Sequence, residues 1–304
     1  MTAGAVFFVC VFVEILQNYG TICQDFGYDG TEGPNYWGAK YAQCVGKHQS
    51  PIDIEVTKAI TKHFPPLVFS HFDEPIQKAF LINNGHTVQM KINSDPKPTI
   101  KGGPLSGEFE FAQLHYHWGQ NDTVGSESQF DHHTYPGEMH IVFFDKRYKD
   151  FTEAGNKPSG LTVLAFIIII DEHDNLGYDN FEDGLKDVID ESANRTFNNL
   201  DSLSDLTRPE GERSFYYTYE GSLTTPPCSE VVTWIEFTNP LPMSREQINA
   251  FRKLFSKNGP LTHNYRPIQP LNDRIVYFNG ADSKLPMSHL TTVLIIVACV
   301  YNIF

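Results

Sequence analysis

Between Gly160 and Asp171 the chain reads Leu-Thr-Val-Leu-Ala-Phe-Ile-Ile-Ile-Ile, apolar at every position but Thr162. A strand with one face in water alternates apolar and polar residues. This run is apolar on both faces, as a central buried strand is. It is too short for a membrane span, which takes about 20 apolar residues. Other short segments rich in β-branched and aromatic residues lie at 52–54, 67–69, 88–92, 109–118, 140–144, 214–219 and 231–237. Turn residues such as Asn83-Asn84-Gly85, Asp95-Pro96 and Gly102-Gly103-Pro104 separate them. Helical signals are few. Leu185, Val188 and Ile189 mark a short element, and residues 244–256 a better one. There Ser244 and Gln247 fit a capping box, Ile248, Phe251, Leu254 and Phe255 line one face, and Asn258-Gly259 is the stop. The pattern predicts a mainly β (α+β) fold with a few short peripheral helices. No linker, internal repeat or low-complexity run divides it, so one domain is expected.

Within residues 109–118, Gln113, His115 and His117 fall two apart, so on a strand they share one face with neighbours roughly 6–7 Å apart. Two such imidazoles can lean onto one ion. Glu138-Met139-His140, at the head of another apolar segment, supplies a third. Three neutral imidazoles with one open position make a catalytic zinc site, whereas four protein ligands make a closed structural one. A lone buried histidine is more often a hydrogen-bonded core residue; the pair with a matching third reverses that reading. Spacing alone leaves copper, iron and nickel open as well.

A net charge of −14, from 23 Lys+Arg against 37 Asp+Glu, repels phosphate backbones and speaks against nucleic acid as a partner. Residues 1–23 carry a short apolar core at 5–13 and predict a secretory signal peptide, although no Lys or Arg precedes the core and Glu14 follows it. At the other end, small residues at 279–283, a polar spacer and an apolar tail predict a glycosylphosphatidylinositol (GPI) anchor signal. On this reading 281–304 is removed and the mature chain meets the membrane through lipid; a spanning tail is the rival. Protein partners are not indicated. Cys10 and Cys299 fall in the removed segments and Cys23 at the uncertain cleavage edge, which leaves Cys44 and Cys228 as the natural disulfide pair. Asn121-Asp122-Thr123 and Asn194-Arg195-Thr196 are glycosylation sequons.

Residues 26–278 resemble an α-class carbonic anhydrase of the secreted, GPI-anchored type. The likeness is carried by Gly38, Ser50-Pro51-Ile52-Asp53, Asn84-Gly85-His86, residues 113–119, Gly125-Ser126-Glu127, Glu138-Met139-His140, residues 221–227, Thr233-Trp234 and Asn264-Tyr265-Arg266-Pro267. It implies a catalytic domain over 24–280, built on a large twisted, mostly antiparallel sheet. It also implies Zn2+ on His115, His117 and His140, and reversible hydration of carbon dioxide to bicarbonate and a proton by zinc-bound hydroxide. The family is the reference case for bound water with a pKa of about 7.

By the same resemblance Gln113, Glu138 and the Asn264 carbonyl orient the three ligands. Thr224 and Glu127 form a gate in which the threonine hydroxyl donates to the carboxylate. Thr225 contacts bicarbonate, and Leu223, Val142, Val163, Val232 and Trp234 wall the carbon dioxide site. His86 is the proton shuttle, with Tyr28, Asn84 and Gln89 ordering its waters. One position departs from the family, which usually has histidine after the gate glutamate; here it is Ser128, leaving the support of Glu127 in question. His132 and His133 read as surface residues. A catalytically silent surface-binding relative is the competing reading, but it would be expected to lack a ligand histidine, and none is missing. A zinc ester hydrolase is a third.

Overall fold

A computed structural model of the chain describes residues 26–208 and 210–280. The predicted signal and anchor segments, with Cys10, Cys23 and Cys299, lie outside the described residues. In chain order the strands of the main sheet are β1 (Ile60–Thr61), β2 (Val68–Ser70), β3 (Ile76–Asn83), β4 (Val88–Ile92), β5 (Thr99–Lys101), β6 (Phe109–Trp118), β7 (Gly137–Asp145), β8 (Leu161–Asp171), β9 (Asn194–Leu200), β10 (Tyr216–Gly221), β11 (Val232–Ser244) and β12 (Tyr277–Asn279). Across the sheet they run β9-β3-β4-β6-β7-β8-β11-β10-β12-β1, and β5 joins β6 to β2. Pairing is antiparallel except for β8 on β11 and β12 on β1. The mainly β, mostly antiparallel expectation holds, and β8 sits between β7 and β11 with both faces covered.

Alternation along the central strands divides the core in two. Leu114, Tyr116 and Trp118 of β6, Met139, Ile141 and Phe143 of β7, and Leu164, Phe166 and Ile168 of β8 point into the larger apolar cluster. Helices α1 (Asp179–Leu185) and α2 (Arg245–Phe251) add Phe181, Leu185, Ile248 and Phe251 to it. Val142, Val163, Ala165, Val232 and Trp234 belong to the smaller cluster on the other face, where Gln113, His115 and His117 also project.

The α2 capping box forms as predicted, but the helix stops at Phe251 instead of 256. Leu254 is fully buried, and Phe255-Ser256 pairs with Gly259-Pro260 while the Phe255 N–H donates to the Ile189 carbonyl. That tertiary pairing takes the last predicted turn. Two strands have weak sequence signals. The β9 residues are mostly polar and exposed because they form a sheet edge, and Gln77 and Lys78 interrupt the apolar pattern of β3. Among the described residues no helix is long and apolar enough to cross a membrane.

Residues 26–46 form short helical turns joined by loops. Trp37 is buried and donates its Nε1–H to the Gly27 and Glu32 carbonyls. Cys44 and Cys228 are joined in a disulfide across 184 positions, as predicted, and pack with Phe26 and Trp37. By chain entropy such a loop closure is worth about 5 kcal/mol.

Candidate metal centre

Strand register builds the site in adjacent rows on the face of the smaller cluster. His115 pairs with His140 and His140 with Ala165; beside that row, Gln113 pairs with Val142 and Val142 with Val163; on the other side His117 pairs with Glu138. The three histidine rings gather with centroids 4.6–5.2 Å apart. Each commits one nitrogen to an acceptor. His115 Nδ1 meets Gln113 Oε1 at 2.9 Å, His117 Nδ1 the Asn264 carbonyl at 2.8 Å, and His140 Nε2 Glu138 Oε1 at 2.7 Å. The proton is thereby placed on the outer nitrogen, and His115 Nε2, His117 Nε2 and His140 Nδ1 keep their lone pairs for an ion. One ligand atom from each lies within 4.8 Å of the others.

Electrostatics suit a cation. Burial, then neighbouring His140, holds the His115 imidazole well below its ordinary value. Burial lowers His117 likewise, with His140 and His115 adding to the effect and the Asn264 carbonyl opposing it. Both stay neutral, as ligands must. His117 Nε2 and Glu127 Oε2 are buried without hydrogen-bond partners although 3.3 Å apart. Two orphaned acceptors facing one point are what a cation and its water would satisfy. Burial also raises the Glu127 carboxyl well above the usual range. The Thr224 hydroxyl and the Arg266 N–H work against that rise, and Glu138 adds to it.

A family model described as eukaryotic-type carbonic anhydrase matches residues 32–280. The chain belongs to this family. Human carbonic anhydrase 7 is 37% identical over 262 residues, covering 83% of this chain and 96% of that protein. Carbonic anhydrase 7 of Mus musculus gives the same identity and coverage, and carbonic anhydrase 1 of Monodelphis domestica is 36% identical over 83% of this chain and 97% of its own length. As a carbonic anhydrase the protein is an enzyme whose metal is zinc and whose substrate and product are carbon dioxide and bicarbonate, and its three histidines are placed to bind that ion.

The other residues singled out in the sequence fall around the three histidines in different ways. Val142, Val163 and Trp234 occupy one cross-strand row, with Val232 buried and Leu223 half-buried in the same cluster. Trp234 stands edge-on to His140 at 4.9 Å and anchors its Nε1–H on the Ser222 carbonyl. Thr224 is buried; Thr225 is half-buried, and its carbonyl accepts from the Cys228 N–H. Glu127 Oε1 accepts from the Arg266 N–H at 2.8 Å. The loop bearing Glu127 starts at Gly125, whose φ of +148° and closeness to the Pro136 carbonyl leave no room for a side chain.

His86 is half-buried and stacks on Phe26. The Asn84 side chain accepts from the His86 and Thr87 N–H groups, closing the turn at Gly85, whose φ is +82°. Gln89 sits opposite His115 in register. Tyr28 is half-buried edge-on to Trp37, and burial followed by Glu127 raises its hydroxyl pKa. His132 and His133 are exposed.

Ser128, where the family usually has histidine, bonds to Glu138 and Glu236. It is fully buried, its N–H donates to Glu138 Oε2 at 2.8 Å, and its hydroxyl donates to Glu236 Oε1 at 2.9 Å. Sequence reading missed Glu236. Its signal was a charge inside the apolar segment 231–237 at the same parity as Trp234.

Proposed function

We propose that the protein hydrates carbon dioxide on the extracellular face of the plasma membrane, held there by a GPI lipid, with His86 delivering the proton to solvent. The observation that carries the hydratase chemistry is the matched imidazole set, each ring with one nitrogen held by an acceptor and the other free. What a bound zinc supplies is Lewis-acid activation of water near neutral pH.

The chain's own residues do the rest. Gln113, Glu138 and the Asn264 carbonyl hold the ligands in tautomer and orientation. Glu127 accepts from the Thr224 hydroxyl, so that the threonine lone pairs face the reacting water. Thr225 meets bicarbonate, while Leu223, Val142, Val163, Val232 and Trp234 give carbon dioxide an apolar seat. His86 takes the proton through water ordered by Tyr28, Asn84 and Gln89, imidazole being the side chain suited to carrying a proton near neutral pH.

The Cys44–Cys228 bridge supports a secretory route, since disulfides persist in oxidising compartments. Exposed Asn121 and Asn194 leave both sequons open to glycosylation on that route. The test is expression of the full chain in animal cells. Surface hydratase activity, its loss on zinc chelation and its release by a phosphatidylinositol-specific phospholipase are the expected results. Activity confined to the cytosol, or a surface protein the phospholipase leaves in place, would refute the location.

A further inference from the structure

Glu236 lies in the cross-strand row of the metal ligands. It pairs with Ala165, Ala165 with His140 and His140 with His115, so all four share one face of the sheet. Strands sit about 4.8 Å apart, which puts Glu236 roughly two strand spacings from His140. The side chain is 1% exposed. A carboxyl at such a depth is costly without partners, and this one takes the Ser128 hydroxyl at 2.9 Å.

Ser128 in turn belongs to a short hydrogen-bonded path. Its N–H and that of Glu127 both donate to Glu138 Oε2, at 2.8 and 2.9 Å. The other oxygen, Glu138 Oε1, holds His140 Nε2 at 2.7 Å. Ser126 secures the loop from the near side by donating its hydroxyl to the Ser128 carbonyl at 2.9 Å. Every atom between Glu236 and the His140 ring is therefore connected, and each link lies inside the fold.

We propose that Glu236 is a positioning residue of the metal centre, fixing through the Ser128 hydroxyl the two N–H groups that aim Glu138 at His140. Burial raises the Glu236 carboxyl well above the ordinary range, Glu138 and Glu127 add to the rise, and Ser128 opposes it. In either protonation state Glu236 Oε1 serves as the acceptor for the Ser128 hydroxyl. The proposal rests on zinc binding by the three histidines and not on the enzyme's location or on His86.

The test compares zinc-loaded wild type with Glu236→Val, Glu236→Gln and Ser128→Ala. The readouts are the rate of zinc loss to a chelator, the thermal midpoint of the metal-free protein and the pH midpoint of hydration. Outer partners of a metal-binding histidine are worth about 10–100-fold in affinity. One link further out, Glu236→Val and Ser128→Ala should each speed zinc loss about tenfold. Both should move the activity midpoint to lower pH, because a loosely held Glu138 accepts less strongly from His140 and leaves the ring a weaker donor to the metal. Glu236→Gln keeps a carbonyl acceptor and should follow wild type. If Glu236→Val does not fold, Ser128→Ala carries the comparison alone, since it removes a single hydroxyl. Zinc loss and pH midpoint unchanged in Ser128→Ala would overturn the proposal, as would a Glu236→Gln as leaky as Glu236→Val. Wild type that holds no zinc at all would instead refute the metal site itself.

Discussion

Phe26 and His86 lie face to face, ring centroids 3.9 Å apart and planes 9° from parallel. The contact ties Phe26 to the imidazole proposed to carry protons. An aromatic pair of this kind is worth about 0.5–1.5 kcal/mol beyond the area it buries. Phe26→Ala should therefore lower turnover a few-fold in dilute buffer and leave zinc content as it was. Stopped-flow hydration with metal analysis checks both halves.

His86→Ala should cost more, roughly a hundred-fold, at the lower end of what positioned acid–base groups contribute. The loss should be confined to dilute buffer and reversed by added imidazole. Rates that ignore buffer concentration in wild type and variant alike would remove His86 from the proton route.

Removal of one ligand is more severe. His140→Ala leaves two imidazoles and turns Glu138 Oε1 into a buried carboxylate oxygen without its 2.7 Å partner. Zinc should fall well below one per chain after dialysis, and hydration should drop to background. Full activity in the variant would dissolve the assigned centre.

Acid should act on the metal-free protein through His117. Burial keeps its folded pKa below the unfolded value near 6.5. Above that pH the ring is neutral in both states and contributes no pH dependence. As pH falls below about 6.5 the unfolded chain binds a proton that the folded chain refuses, so stability declines by up to about 1.4 kcal/mol per pH unit. Glu127 and Glu236, with raised pKa values, act with the opposite sign, losing stability as pH rises above the ordinary carboxylate range. Comparing His117→Gln with wild type isolates the histidine. Urea midpoints from pH 7 to 5 should converge if the assignment is right and run parallel if it is not.

Reduction of Cys44–Cys228 should lower unfolding free energy by up to about 5 kcal/mol, read from denaturant curves with and without reductant. Superimposable curves would mean that the unfolded chain is already held compact by other means.

What could be read in advance follows a physical division. His115 and His117 were legible because strand periodicity alone puts them on one face, and residues 161–170 because a strand covered twice has no polar face to show. Most strand ends came within a few residues for the same reason. The strands β3 and β9 were harder: Gln77 and Lys78 blur one, and the other is a polar sheet edge whose pairing owes more to its neighbour than to its own side chains. The end of α2 depended on a contact with Ile189 far away in sequence. Shuttle, gate and wall residues were reached through the family likeness. Glu236 showed in the sequence only as a charge inside an apolar segment; its part in the site comes from the Ser128 hydroxyl that it accepts.

The ligand set is spread over β6 and β7, and His115 stands directly across from His140. A slip of one residue between these strands would send one strand's imidazoles to the opposite side. Stoichiometric zinc uptake therefore doubles as a ruler for refolded material: it reports that β6 and β7 have met in the register that sets His115 across from His140.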